Sequence, residues 1–177
     1  MLIAWHGSPV LFDRFDAGKI GTQTDGGSQG YGMYVTDCRD IACSYAAPSW
    51  WHVRKGYVYE VEAPDGEYID NSKFLDHQPE PVRAILHAAI EQLAGPMSGY
   101  WRFVIGSAPE NAAYHSQIGV ILSFSRKNGT PAEPVLAAAG YVGCINKMDD
   151  RGHEFAVFDP DRLRIRSVTP HEQRMVA

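Results

Sequence analysis

The chain contains few cysteines, no long apolar run and no recognisable leader. Cys38, Cys43 and Cys144 are odd in number and form no C-x-x-C pair, which argues against a disulfide scaffold and favours a reducing compartment. No apolar run approaches the roughly 20 residues that a transmembrane helix needs. Strand-like residues follow Met1 directly, so no signal peptide is expected. We therefore expect a soluble, cytoplasmic protein without a membrane partner. Delivery of the protein into a target cell would be compatible with this expectation.

Basic charge is also scarce. Sixteen Lys and Arg residues stand against 21 Asp and Glu residues, so the 177-residue chain carries a formal net charge of −5. General polyanion binders normally show a basic balance or a basic stripe. Arg162, Arg164 and Arg166 alternate along the sequence, which indicates one face of a solvated edge strand rather than a nucleic-acid patch. A protein is therefore favoured over a nucleic acid as macromolecular partner, although a shaped, local RNA or DNA site stays open.

The patterning predicts one α+β domain over residues 1–177. Hydrophobic residues make up 45% of the chain, which is enough for one core, and no repeat or linker divides the sequence. Alternation and turn residues predict strands at 2–5, 31–36, 57–63, 68–70, 141–146, 155–158 and 163–168. Helical spacing predicts helices at about 38–47, with Asp37 as its cap, and at 81–94, 111–125 and 134–139.

Polar segments between these elements are expected to be loops. Residues 13–32 are rich in Gly, Asp, Ser, Thr and Gln, and loops of that length are commonly lids or binding loops. Residues 146–152 form a second polar loop, and the tail at 170–177 is expected to be loose. Gly7 and Pro9 follow the first strand, so His6 is expected where that strand gives way to a loop.

Four short motifs stand out, although each alone is typical of an ordinary structural residue. They are WHGS at 5–8, GMYVTD at 32–37, SY at 44–45 and EFAVFD at 154–159. Together and in this order they resemble the ADP-ribosyltransferase superfamily, in the His-Tyr-Glu branch of diphtheria-type toxins and poly-ADP-ribose polymerases. The wider pattern, with Phe12, Phe15, Asp16 and a closing V-F-D-P, is similar to small transferases of phages, mobile elements and toxin systems.

This resemblance implies a fold, a substrate and a catalytic set. The implied fold is a split mixed β-sheet with flanking helices and a variable helical insertion at about 70–134. NAD is the implied co-substrate, and His6, Tyr34 and Glu154 are the implied catalytic residues. Glu154 would stabilise the oxocarbenium-like state reached when NAD loses nicotinamide, as carboxylates do in glycoside hydrolysis. Tyr34 and Tyr45 would stack on the flat, cationic nicotinamide ring.

The resemblance further assigns His6 to the adenosine ribose, the Gly7 backbone to the nicotinamide amide, and Ser8 to the adenosine side. The loop at 18–30 would lie over the donor. Gly152 replaces the Glu or Gln found two residues before the catalytic Glu in arginine-modifying toxins, so that route is disfavoured. Ala42 replaces a Ser on the helix, which removes one expected hydroxyl contact to nicotinamide.

Two other sites are disfavoured by spacing. The Gly-rich stretch 26–32 lacks the G-x-G-x-x-G order of a dinucleotide-binding loop and precedes a predicted strand instead of a helix. The three cysteines show no zinc spacing with five of the histidines, so no metal is expected. Those histidines are His77, His87, His115, His153 and His171.

The predicted function is transfer of a single ADP-ribose from NAD to a macromolecule, in a toxin, effector or phage factor. An NAD glycohydrolase, with water as acceptor, is the first alternative, and a non-catalytic domain that binds NAD or a partner is the second. Met148, Arg151 and His153, in the loop before Glu154, are the candidate acceptor contacts. A toxin role would add an antitoxin or immunity protein as a partner.

Overall fold

One mixed β-sheet organises the computed structural model, which describes residues 1–22, 29–48, 55–93 and 117–172. Within these ranges the sheet has seven strands and is flanked by four helices. The strands are β1 (Leu2–Ser8), β2 (Met33–Thr36), β3 (Lys55–Ala63), β4 (Glu67–Asp70), β5 (Tyr141–Lys147), β6 (His153–Val157) and β7 (Arg164–Glu172). The helices are α1 (Arg39–Ala46), α2 (Glu80–Leu93), α3 (Gln117–Lys127) and α4 (Glu133–Ala138). The predicted α+β class is confirmed.

The sheet consists of two parts with a narrow connection between them. The strand order is β4-β5-β6-β2-β1-β3-β7, with β4 and β5 parallel and the other pairs antiparallel. In the part of the chain that the structure describes, β1 pairs with β2 at one position, Trp5 with Thr36. By contrast, β1 pairs with β3 along its whole length, from Leu2 to Ser8. We call the two parts the β6 half (β4-β5-β6-β2) and the β3 half (β1-β3-β7).

Each face of the sheet carries its own hydrophobic cluster, because side chains alternate between the faces of a strand. Helices α2, α3 and α4 cover one face with fully buried side chains such as Leu86, Ile121 and Leu136. Burial of each such side chain contributes about 1.5–3 kcal/mol. The other face carries a second cluster, around Tyr59 and Val157, to which the segment between β1 and β2 adds side chains. Helix α1 packs separately against β1 and β3.

The predicted helices agree with the structure wherever they can be compared. Helices α1, α2 and α4 begin and end within one residue of their predicted bounds. The predicted helix at 111–125 is observed as α3 from Gln117, while residues 111–116 lie outside the described ranges. Helix α3 continues to Lys127, and the positive charges of Arg126 and Lys127 interact favourably with the negative end of the helix dipole. None of the helices in the described ranges is long and apolar enough to cross a membrane.

Three predictions about strand ends and caps are wrong. Strand β1 continues through Ser8, because each of its residues pairs with β3, so His6 and Gly7 lie within a strand and not in a loop. Strand β7 continues to Glu172, because its last residues pair with the start of β3. The predicted loose tail is therefore ordered up to that residue, and residues 173–177 lie outside the described ranges. Asp37 does not cap α1: the cap position is Cys38, whose side chain makes no capping hydrogen bond.

The two predicted loops contain short turns. In the first, residues 17–19 form one 3-10 turn capped by Asp16, whose Oδ1 accepts a 2.8 Å hydrogen bond from the Gly18 amide. Residues 23–28 of this loop, which include most of its glycine-rich part, lie outside the described ranges. In the second, residues 149–151 form another 3-10 turn, and β6 begins at His153. Asp159 caps the 3-10 turn that follows β6.

Candidate active site

A cavity of about 520 Å³ lies where β1 and β2 separate, between the two halves of the sheet. Its volume falls in the range of small-molecule sites, about 300–1,000 Å³. Strands β1 and β2, helix α1, the segment after β1 and one residue of β6 supply its walls. All six residues assigned to catalysis or NAD binding line it, namely His6, Gly7, Ser8, Tyr34, Tyr45 and Glu154. Residues that are distant in sequence therefore meet at one site.

The His6 ring connects the two halves of the sheet. Its Nδ1 lies 2.7 Å from the carbonyl oxygen of Tyr34 on β2. Because a carbonyl only accepts, Nδ1 carries the proton, and Nε2 of the neutral ring is an acceptor. Phe12, Phe15 and Tyr59 surround the ring, with centroid distances of 5.8, 5.3 and 6.0 Å. This burial lowers the pKa of His6 below its ordinary value of 6.5, so the ring is neutral at pH 7.

The lowered pKa predicts that His6 makes folding less favourable in acid. Below about pH 6.5 the unfolded chain protonates His6 while the folded chain does not, so stability falls by up to about 1.4 kcal/mol per pH unit. Urea unfolding at pH 7.5, 6.5 and 5.5 measures this loss. We expect His6→Asn to lose less stability than wild type over this range, and His87→Asn, which changes an exposed histidine of α2, to match wild type. Equal losses in all three proteins would contradict the prediction.

Glu154 is a nearly fully buried carboxylate at the cavity wall. Its side chain is 6% exposed, and it lies opposite Thr36 on β2 and Asn146 on β5. Directly opposed residues of antiparallel strands share one face, so Glu154 and Thr36 face the same side, and both line the cavity. A carboxylate held in such a low-dielectric wall stabilises a developing positive charge more strongly than one in water.

Tyr34 and Tyr45 reach the cavity from different elements. The Tyr34 hydroxyl donates a 2.8 Å hydrogen bond to the Gly30 carbonyl and accepts a 3.0 Å hydrogen bond from the Gln29 amide. These bonds hold the end of the long loop against β2. Tyr45 lies on α1 one turn after Ala42, and both line the cavity because residues three apart share a helix face.

The structure explains the need for glycine at position 7 differently from the predicted contact with the nicotinamide amide. A Cβ on Gly7 would lie 1.8 Å from the carbonyl oxygen of Ala42 and 2.7 Å from the amide nitrogen of Ala46. Helix α1 therefore packs directly on the β1 backbone, and this close packing explains the glycine without any ligand. Ser8 is buried, and its Oγ accepts a 3.1 Å hydrogen bond from the Val10 amide, so its hydroxyl starts the turn after β1.

Sequence reasoning missed the role of Tyr59. Its hydroxyl accepts a 2.8 Å hydrogen bond from the Phe12 amide and donates a 3.1 Å bond to the Val10 carbonyl. Its ring also stacks on Phe12, with centroids 4.1 Å apart. Tyr59 thus fixes the segment that forms one wall of the cavity. No signal in the sequence separates it from the other tyrosine of the alternating strand, Tyr57.

Of the candidate acceptor residues, Met148 and Arg151 lie in the turn between β5 and β6 and His153 begins β6, and the cavity lining includes none of the three. The Met148 amide donates to the Gly152 carbonyl at 2.8 Å, and the Arg151 amide donates to the Met148 carbonyl at 3.0 Å. The His153 ring bonds through Nδ1 to Oδ2 of Asp37 at 2.8 Å. His153 also precedes Glu154 directly in the strand, so its side chain points to the opposite face of the sheet.

Comparison with known proteins finds no matching family model, curated protein or solved structure. Among the described residues, no three His, Cys, Asp or Glu side chains are grouped as a metal site would require.

Proposed function

We propose that the protein is an NAD-consuming mono-ADP-ribosyltransferase. One observation carries the proposal: six residues named from sequence resemblance, on β1, β2, α1 and β6, line a single cavity of about 520 Å³. The narrow connection between the two sheet halves is in keeping with the split sheet that the resemblance implies. The lining combines a buried acid, a neutral histidine and aromatic rings, which suits a ligand with a cationic ring and ribose hydroxyls.

Glu154 has the central part in the proposed reaction. The bond between C1′ of the ribose and the nicotinamide nitrogen breaks, and its electron pair leaves with nicotinamide. Positive charge develops on the ribose, and the Glu154 carboxylate stabilises it from the cavity wall. The acceptor nucleophile then bonds to C1′ and loses its proton. Glu154 is also a candidate to receive that proton, because its carboxylate lines the cavity, as do those of Asp13 and Asp16 on the segment after β1.

The remaining lining residues orient the donor. The Tyr34 and Tyr45 rings present aromatic faces to nicotinamide, and Nε2 of neutral His6 accepts a hydrogen bond from a ribose hydroxyl. Arg14 and Lys19, on the segment after β1, add positive charge at the same cavity. A macromolecule is the proposed acceptor, and the net charge of −5 favours a protein over a nucleic acid.

Removal of the Tyr45 ring is expected to weaken NAD binding. We predict that Tyr45→Ala raises the KM for NAD about tenfold, since one aromatic or cation–π contact contributes about 1–1.5 kcal/mol. Tyr45→Phe keeps the ring and should stay within about twofold of wild type. Steady-state nicotinamide release measures both variants. Tyr45 would have no stacking role if the alanine variant kept the wild-type KM, or if the phenylalanine variant were equally impaired.

The proposal is tested with NAD labelled in its adenylate half, incubated with the purified protein and a cell lysate. Free nicotinamide and label on protein and on nucleic acid are followed together. Nicotinamide release with labelled protein supports the proposed transferase. Release without any labelled macromolecule assigns the site to a glycohydrolase instead. A folded protein that releases no nicotinamide contradicts both activities and leaves a binding domain.

A further inference from the structure

Asp37 joins the end of β2 to the start of β6 through its side chain. Its Oδ1 accepts a 2.6 Å hydrogen bond from the His153 amide, and its Oδ2 lies 2.8 Å from Nδ1 of the His153 ring. The Asp37 amide also donates a 3.1 Å hydrogen bond to the His153 carbonyl. The residue that follows β2 therefore holds the residue before Glu154 by that residue's backbone amide, its carbonyl and its ring.

Gly152 fits the same arrangement. Its φ of 120° is a conformation that favours glycine, and a Cβ there would lie 2.2 Å from Oδ1 of Asp37. The backbone of the turn thus approaches the Asp37 carboxylate more closely than any side chain would allow. The turn is closed on its other side by the hydrogen bond from the Met148 amide to the Gly152 carbonyl.

The contact between Asp37 and His153 affects Glu154 through the backbone of β6 and not through a direct side-chain contact. Neighbouring residues of a strand point to opposite faces, and the His153 ring lies 6.2 Å from that of Phe155, its neighbour on the same face. Glu154 is on the other face, opposite Thr36, the residue that precedes Asp37. Asp37 and Thr36 therefore fix consecutive residues of β6, which sets the place at which the Glu154 carboxylate enters the cavity.

We infer that Asp37 is a positioning residue for Glu154, acting through its bonds to His153. The inference rests on the proposed function for its effect on rate, and on the hydrogen bonds alone for its effect on geometry. Catalytic groups act only within about 0.5 Å of the productive position, and a misplacement of 1 Å lowers a rate by about 100-fold. Loss of the contact should therefore lower kcat more than it alters binding of NAD.

The experiment compares Asp37→Ala, Asp37→Asn and a matched control, Asp159→Ala. Asp159 lies just beyond the other end of β6, where its carboxylate accepts a comparable hydrogen bond from the Asp161 amide at 3.1 Å. We expect Asp37→Ala to lower the kcat of nicotinamide release by about 10- to 100-fold, with KM for NAD within about threefold. Asp37→Asn retains an oxygen for the His153 amide and should recover most of the rate. The control should keep wild-type kcat.

A readout without turnover separates this inference from the proposed function. Crystal structures of wild type and Asp37→Ala show directly whether the Glu154 carboxylate moves, and hydrogen exchange reports whether the Glu154 amide loses protection. Displacement of Glu154 in the variant supports the inference even if wild type cleaves no NAD. Two results would overturn it: an unchanged Glu154 position, or a kcat no lower than that of Asp159→Ala when all variants are equally folded.

Discussion

Glu154→Gln is expected to lower the rate of nicotinamide release by about 100- to 1,000-fold, because it removes the charge that stabilises the ribose cation. Glutamine has nearly the same shape as glutamate, so the cavity and its affinity for NAD should change little. We expect the Kd for NAD to stay within about threefold of wild type, which calorimetry measures on the same preparations. Loss of rate with retained binding identifies a group that acts mainly in the transition state.

Glu133→Gln provides the matched control for this substitution. Glu133 is 2% exposed, similar to Glu154, but it lies at the start of α4, and the cavity lining does not include it. Burial raises the pKa of the Glu133 carboxyl above its ordinary value, and its Oε2 lies 3.5 Å from Nη2 of Arg126. Its variant should keep the wild-type rate. If Glu154→Gln retained more than about a tenth of that rate, Glu154 would not be the charge-stabilising residue.

Gly7→Ala is expected to destabilise the fold strongly. The new Cβ would lie 1.8 Å from the Ala42 carbonyl oxygen, which is backbone and cannot rotate away. Helix α1 would have to move off β1, and overpacking of this kind costs about 3 kcal/mol. For a chain of this size the melting temperature should fall by about 10 °C, which calorimetry or circular dichroism measures.

Gly18→Ala is the control for Gly7→Ala. There the nearest atom is an exposed Asp16 carboxylate oxygen at 3.2 Å, which can shift, so the melting temperature should change by less than about 2 °C. A Gly7→Ala protein as stable as wild type would show that α1 does not pack on β1 as closely as described. A folded but inactive Gly7→Ala protein would instead favour the ligand contact that the sequence resemblance assigns to the Gly7 backbone.

The helices were predictable because their signals are local. In α2 the buried residues Val82, Leu86 and Ala89 recur at helical spacing, and a Gly-Pro pair follows shortly after the helix. Strand ends were less predictable because pairing partners decide them. Nothing near Ser8 indicates that it pairs with Tyr57, and nothing near Pro170 indicates that this residue also pairs with Tyr57. Residues in a sheet are fixed by neighbours that the local sequence does not contain.

In the candidate site, too, some features were predictable from local sequence and others were not. The motifs at 5–8, 32–37, 44–45 and 154–159 identified a set of residues that line one cavity. The function of Asp37 could not be inferred, since its partner His153 is 116 residues away and a helix follows Asp37 directly. An aspartate before a helix usually caps it, and that local rule concealed the tertiary contact.

Because the connection between β1 and β2 is narrow, the residues that line the cavity are divided between the two halves of the sheet. The β3 half carries His6, Gly7 and Ser8, and the β6 half carries Tyr34 and Glu154, so both halves contribute to the lining of the cavity. Beyond the single backbone pair, the hydrogen bond from Nδ1 of His6 to the Tyr34 carbonyl joins them, and the proposed function assigns the second ring nitrogen to the substrate. Under the proposed function, position 6 is thus constrained twice, once by the hydrogen bond that joins the two halves and once by the ligand. An asparagine at position 6 would keep a donor for the Tyr34 carbonyl but would lack the second ring nitrogen. This substitution would therefore separate the contribution of residue 6 to the fold from its contribution to ligand binding.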